Sequence, residues 1–145
     1  MVGTLGAVRV RRAVVDAIVA HARREHPREC CGLLVGDAHE AIEAVAVGNV
    51  ADDPLRQYVV SPVEHLAEIR RCRDRSRAGA TLDVIGAYHS HPHSPAQPSP
   101  TDLERACQDF LFVIAGPVSE AAGIQVRGYR LSEIQFEEVQ LLVVD

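Results

Sequence analysis

Apolar residues return at helical spacing between Arg12 and Arg24, where Val14, Val15, Ile18 and Ala22 fall on one stripe opposite the charges. This spacing predicts an amphipathic helix, ended by Pro27 and preceded by a short strand over Ala7 to Val10. Cys31 to Val35 is a continuous apolar run closed by Gly36, the pattern of a strand buried on both faces, and Glu40 to Val47 alternates well enough to be its hairpin partner across Asp37-Ala38. Gly48 to Arg56 is polar and turn-rich, and Tyr58 to Val60 reads as a brief strand. Ser61-Pro62-Val63-Glu64 has the form of a capping box opening a second helix that runs to about Arg77 and stops at Gly79. The apolar run from Leu82 to Tyr88 predicts another buried strand. Beyond it, Pro92, Pro95, Pro98 and Pro100 mark a stiff loop, after which Phe110 to Ala115, Ile124 to Leu131 and Ile134 to Val144 are strand-like, with turns at Gly116-Pro117 and Ser132-Glu133. The order of elements predicts an α/β fold in one domain over residues 1–145, with a mostly antiparallel or mixed sheet and two or three helices.

Composition narrows the function classes. A chain of 145 residues with 47% hydrophobic positions is expected to bury roughly two-thirds of its unfolded surface around one core. A formal charge of −5 and 4% aromatics with no Trp disfavour a nucleic-acid binder, which needs a basic face and stacking rings. The arginines at 70, 71, 73, 75 and 77 are read as a solvated helix face. The cysteines at 30, 31, 72 and 107 have no Cys-x-x-Cys spacing and are expected to be reduced and mostly buried in a cytoplasmic protein. With no secretory leader pattern and no apolar run long enough for a membrane span, neither secretion nor a membrane partner is expected.

The chemistry concentrates at His89-Ser90-His91-Pro92 and Ser99-Pro100-Thr101-Asp102. On a strand, residues i and i+2 project from one face, so both imidazoles can reach a single ion, while Ser90 points to the other side. Ser99 and Pro100 look like a helix N-cap and first position, which puts Asp102 in a first turn. Two imidazoles and a carboxylate suit one zinc ion and leave a fourth position open for water. Asp102 alone has a second explanation, as a capping-box group that needs no metal. The prolines forbid extending strand alternation to His93, which is left out of the ligand set, and His21, His26, His39 and His65 carry no partner pattern.

His-Ser-His-Pro followed after His91 by ten residues and then Asp102, within Ser-x-x-Asp, resembles the signature of the JAMM (MPN-plus) metallopeptidases. The family's upstream Glu is matched by Glu29, in Glu29-Cys30-Cys31-Gly32-Leu33-Leu34-Val35-Gly36. The resemblance spans nearly the whole chain and implies an MPN-type, cytidine-deaminase-like fold with a curved mixed sheet. It further implies that His89, His91 and Asp102 hold Zn2+, that Glu29 is the general base and that Ser99 steadies an oxyanion. The chain lacks long insertions and looks like the compact prokaryotic branch. That branch implies hydrolysis of amide or isopeptide bonds at the C-terminal Gly-Gly tail of a ubiquitin-like or sulfur-carrier protein. A thin tail is expected to add along an exposed sheet edge. Two alternatives stay open: a metal-free MPN-type scaffold, and a RadC-like DNA-repair-associated protein, although that family has Asn where this chain has Ser90. A deaminase would need His-x-Glu and Pro-Cys-x-x-Cys, which are absent.

Overall fold

The computed structural model describes residues 6–79, 81–104, 110–119, 123–133 and 135–145, with backbone only at 103 and 104. Strand β1 (Val8–Arg11) leads directly into helix α1 (Arg12–Glu25), followed by strands β2 (Cys31–Gly36) and β3 (Glu40–Val47) and helix α2 (Pro62–Arg77). Strand β4 (Asp83–Ser90), the short helix α3 (Pro100–Glu104) and strands β5 (Leu111–Gly116), β6 (Gln125–Ser132), β7 (Gln135–Val139) and β8 (Leu141–Val144) complete the described elements. Apart from the strand expected at Tyr58 to Val60, the predicted helix and strand order holds from β1 to β6.

The strands form one eight-stranded sheet in the order β7-β6-β5-β4-β2-β3-β1-β8. It is mixed: β2 is antiparallel to both β3 and β4, whereas β4 runs parallel to β5 and β1 parallel to β3 and β8. Alternation along β2 serves two cores at once. Leu34 packs with Val14, Ile18, Ala22 and Tyr88 beneath α1, while Cys31 and Leu33 face the opposite side with Val45, Val47 and Tyr58. Both faces are covered, so β2 reads as an unbroken apolar run rather than as an alternating one. Each fully buried aliphatic such as Ile18 or Leu33 contributes about 2 kcal/mol of transfer free energy. Gly32 sits directly under the Tyr88 ring, and a Cβ there would overlap it. Over the other face, Arg71 and Arg75 of α2 reach Glu43 of β3 at 3.0 and 2.8 Å. Part of the basic stretch is therefore an ion-pair network instead of a purely solvated face.

Three local expectations are corrected. Tyr58 to Val60 is not a strand but contributes one isolated bridge, Asn49 to Val60. The run Ile134 to Val144 is two strands, since β7 pairs with β6 while β8, after Gln140 alone, pairs with β1 at the far margin of the sheet. A one-residue link between the two margins requires the sheet to curl until they approach; Val8 N donates to Gln140 O at 3.0 Å across that seam. The capping box of α2 is half made: Glu64 N donates to Ser61 Oγ at 3.3 Å, but the Glu64 carboxylate accepts from Gly48 N at 3.0 Å instead of reaching back. Among the described cysteines, Cys30, Cys31 and Cys72 are free and buried; Cys107 lies outside the described residues, as does Ile134. No helix among the described residues is long and apolar enough to cross a membrane.

Candidate metal centre

His89 and Ser90 are the last two residues of β4, and His91 continues the parallel register by donating its backbone N–H to Ala115 O at 2.8 Å. Strand geometry therefore persists through His91, and both rings emerge on one face. Ser90 points the other way, its Oγ accepting from Cys30 N at 2.8 Å, as its position predicts. The loop behind them is tied down: Tyr129 Oη donates to Ala96 O at 2.6 Å, and Val118 N and Ser119 N donate to His91 O and Pro92 O at 3.1 and 2.9 Å.

Asp102, in the first turn of α3, meets this pair. Its N–H donates to Ser99 Oγ at 3.1 Å and its Oδ2 accepts from Ser99 N at 2.8 Å, so the capping-box reading is correct. The same carboxylate also stands 3.3 Å from His89 Nε2 and 3.5 Å from His91 Nε2, so capping and convergence on the histidines coexist. The two Nε2 atoms are 3.1 Å apart. Zinc bonds of about 2.0–2.1 Å in a tetrahedral arrangement place donor atoms about 3.3 Å from one another, so the spacing and the donor chemistry both fit such an ion. His91 Nδ1 can only donate to Pro95 O, 2.7 Å away, which leaves the lone pair of the neutral ring on Nε2, facing the cluster. All three side chains are buried, and they form a group of donor residues close enough to share one metal ion.

Burial and charge pull the titrations apart. Burial lowers the proton affinity of His89 in spite of Asp102. For His91, burial is outweighed by its bonds to Asp102 and Pro95 O, and its proton affinity rises. Burial would also raise that of Asp102, but the two imidazoles and Ser99 N hold its carboxyl well below the usual range. Glu29 moves upward to about 7, chiefly through burial, with His91 opposing and Asp102 and Asp53 adding to the shift. A carboxylate so placed is suited to exchanging a proton near neutrality.

Glu29 precedes β2 and lines a pocket of about 120 Å3 together with Gln57, Tyr58, His91, Ser99 and Asp102. Glu29, His91, Ser99 and Asp102 thus border one small volume, and the ring of Tyr58, which also lines it, stacks on the His89 ring at 4.1 Å. A larger cavity of about 940 Å3, lined by the opposite end of β4, contains none of them. His93 stays outside the donor group, edge-on to His26 at 5.4 Å, and His21 is a satisfied core residue whose Nδ1 lies 2.7 Å from Tyr88 Oη. Two contributors were missed in the sequence. Tyr58 carried only a strand signal, and Asn49, bonded to the Glu29 carbonyl, was one polar residue in a turn-rich stretch.

A family model described as prokaryotic homologs of the JAB domain matches residues 11–132. A desampylase from Haloferax volcanii is 37% identical over 70% of this chain and 75% of its own, and a probable TtuB-protein conjugate cleaving protease from Thermus thermophilus is 35% identical over 93% and 82%. A CysO-cysteine peptidase from Mycobacterium tuberculosis is 28% identical over 99% and 95%. The crystal structure of AF2198, a JAB1/MPN domain protein from Archaeoglobus fulgidus, superposes with a TM-score of 0.59 at 22% identity, over 95% of this chain and 98% of that one, and shares the fold. The convergence of His89, His91 and Asp102 beside Glu29 is thus set in an MPN-type fold, and the chain belongs to the compact prokaryotic JAB, or JAMM, family of hydrolases.

Proposed function

We propose that this protein is a zinc-dependent hydrolase of amide and isopeptide bonds, acting where the C-terminal Gly-Gly tail of a ubiquitin-like or sulfur-carrier protein is joined to an amine. The observation that carries this reading is the convergence of three buried donor residues, two of which, His91 and Asp102, line one pocket with the Glu29 carboxyl. His89, His91 and Asp102 would hold the ion, which when bound supplies Lewis acidity toward water and the scissile carbonyl.

Glu29 takes the proton from the attacking water on its carboxylate and returns it to the departing amine nitrogen. Ser99 Oγ accepts from Asp102 N, so its own O–H remains to donate toward the pocket, where it stabilises a developing oxyanion. A volume of about 120 Å3 suits glycines and excludes larger side chains near the reacting bond. The names of the relatives support both adduct classes, a protein conjugate and a carrier-bound amino acid. The buried, unpaired cysteines among the described residues and the formal net charge of −5 favour a cytoplasmic setting without nucleic-acid or membrane partners.

The test pairs metal analysis with cleavage. The purified protein is expected to hold zinc, to lose it with His89→Ala, and to release a Gly-Gly-ended carrier from either a lysine isopeptide or an amino-acid adduct. Glu29→Gln should cut the rate by at least about a hundredfold while keeping the metal. A protein that binds no zinc would be the scaffold alternative. Cleavage by Glu29→Gln at the parent rate would exclude Glu29 as the base.

A further inference from the structure

Asn49 lies in the turn-rich stretch after β3, and its amide is used to capacity. Nδ2 donates to Glu29 O and to Gln57 O, each at 2.9 Å, while Oδ1 accepts from Ala51 N and Val59 N, each at 3.0 Å. The bond to Ala51 N is an ordinary local Asx turn, but the other three join positions 20, 8 and 10 residues away in the chain. Glu29 itself stands just before β2, and its N–H donates to Pro54 O at 2.7 Å. Both backbone polar groups of Glu29 are therefore held by the stretch from Asn49 to Pro54. The same amide grips the residues on either side of Tyr58, whose ring stacks on His89.

We propose that Asn49 is a positioning residue for the hydrolase: its side chain fixes the peptide at Glu29, and with it the Glu29 carboxylate in the pocket shared with His91 and Asp102. This inference rests on the reading of Glu29 as the proton carrier. Geometry gives the reason for the linkage. A residue outside the ladder keeps its orientation only through bonds from elsewhere, and a displacement of about 1 Å at a reacting group costs roughly a hundredfold in rate.

Asn49→Asp keeps the acceptor for Ala51 N and Val59 N but removes both donors, and Asn49→Ser serves as the second variant where the added charge impairs folding. Each is made alone and together with Glu29→Gln. Each is assayed with zinc on a fluorogenic peptide amide ending Gly-Gly linked to aminomethylcoumarin, at a temperature where circular dichroism reports a folded chain. The single variant is expected to lose roughly ten- to a hundredfold in kcat, with KM within about threefold and zinc content unchanged. Added to Glu29→Gln, it should change the residual rate less than about twofold, because both substitutions disable one device. A kcat within twofold of the parent, or an equal loss in both backgrounds, would overturn the positioning role and leave the Glu29 assignment intact. Parent-like cleavage by Glu29→Gln alone would overturn both.

Discussion

Glu29 carries a cost that the proposed chemistry explains. Burial lifts its folded-state proton affinity to about 7 from an ordinary 4.5, so the folded state favours the protonated form. For a group raised in this way, the stabilisation is complete below about pH 4.5 and is lost as pH rises through about 7. Above neutrality the metal-free protein keeps a poorly solvated carboxylate, at a cost on the order of 2–3 kcal/mol. Glu29→Gln, which carries no charge at any pH, is therefore expected to be more stable than the parent at pH 8 in chelator and nearly equal to it at pH 4. Urea denaturation at the two pH values measures this, and equal stability at pH 8 would contradict the burial argument. Gly32 gives a second residue-scale expectation. Because a Cβ there would overlap the Tyr88 ring and disturb its bond to His21, Gly32→Ala should destabilise by about 2–3 kcal/mol, read as a lower melting temperature.

At the scale of elements, the two pieces that carry the candidate donors were legible for different reasons. The β4 run announced itself by apolar length, and His89 and His91 followed from a period of two. Asp102 followed from helix-start chemistry at Ser99 and Pro100, which the structure reproduces as a reciprocal cap. Glu29 became legible only through its likeness to a family motif, since nothing local separates it from a surface Glu after Pro27 and Arg28. Tyr58 to Val60 and the division of 134–144 at Gln140 were not legible, because what decides each is pairing with a distant segment, Asn49 in one case and β1 in the other. The loop between the ligands depends on such a distant partner too. Tyr129 Oη on β6 donates to Ala96 O, and Ala96 follows Pro95, whose carbonyl orients His91. Tyr129→Phe leaves a buried carbonyl without its donor, which costs about 1–3 kcal/mol. It should also weaken metal binding several-fold by freeing the ring of His91. Competition with a chromophoric chelator reads the affinity, and a variant with parent affinity would show that the prolines alone hold the loop.

For the whole molecule, the question is whether the proposed ion would build the fold or merely occupy it. The main apolar core, Val14, Ile18, Ala22, Leu34, Tyr88 and Leu111 among others, is assembled from α1 and from strands β1 to β5 and β7. The donors instead crown one end of β4, where the curled sheet, the tethered loop and α3 have already brought them within 3.5 Å of one another. A site prepared in this way differs from a zinc finger, whose folding free energy is its metal-binding free energy. The chelated protein is accordingly expected to keep its far-ultraviolet dichroism and a cooperative melt. Added zinc should raise stability by mass action, by about 2.7 kcal/mol at a hundredfold excess over Kd. His89→Ala should melt cooperatively as well but gain nothing from zinc, because two donors remain where three are needed. If the chelated parent proves unfolded, the ion builds the fold, and the core does not suffice without it.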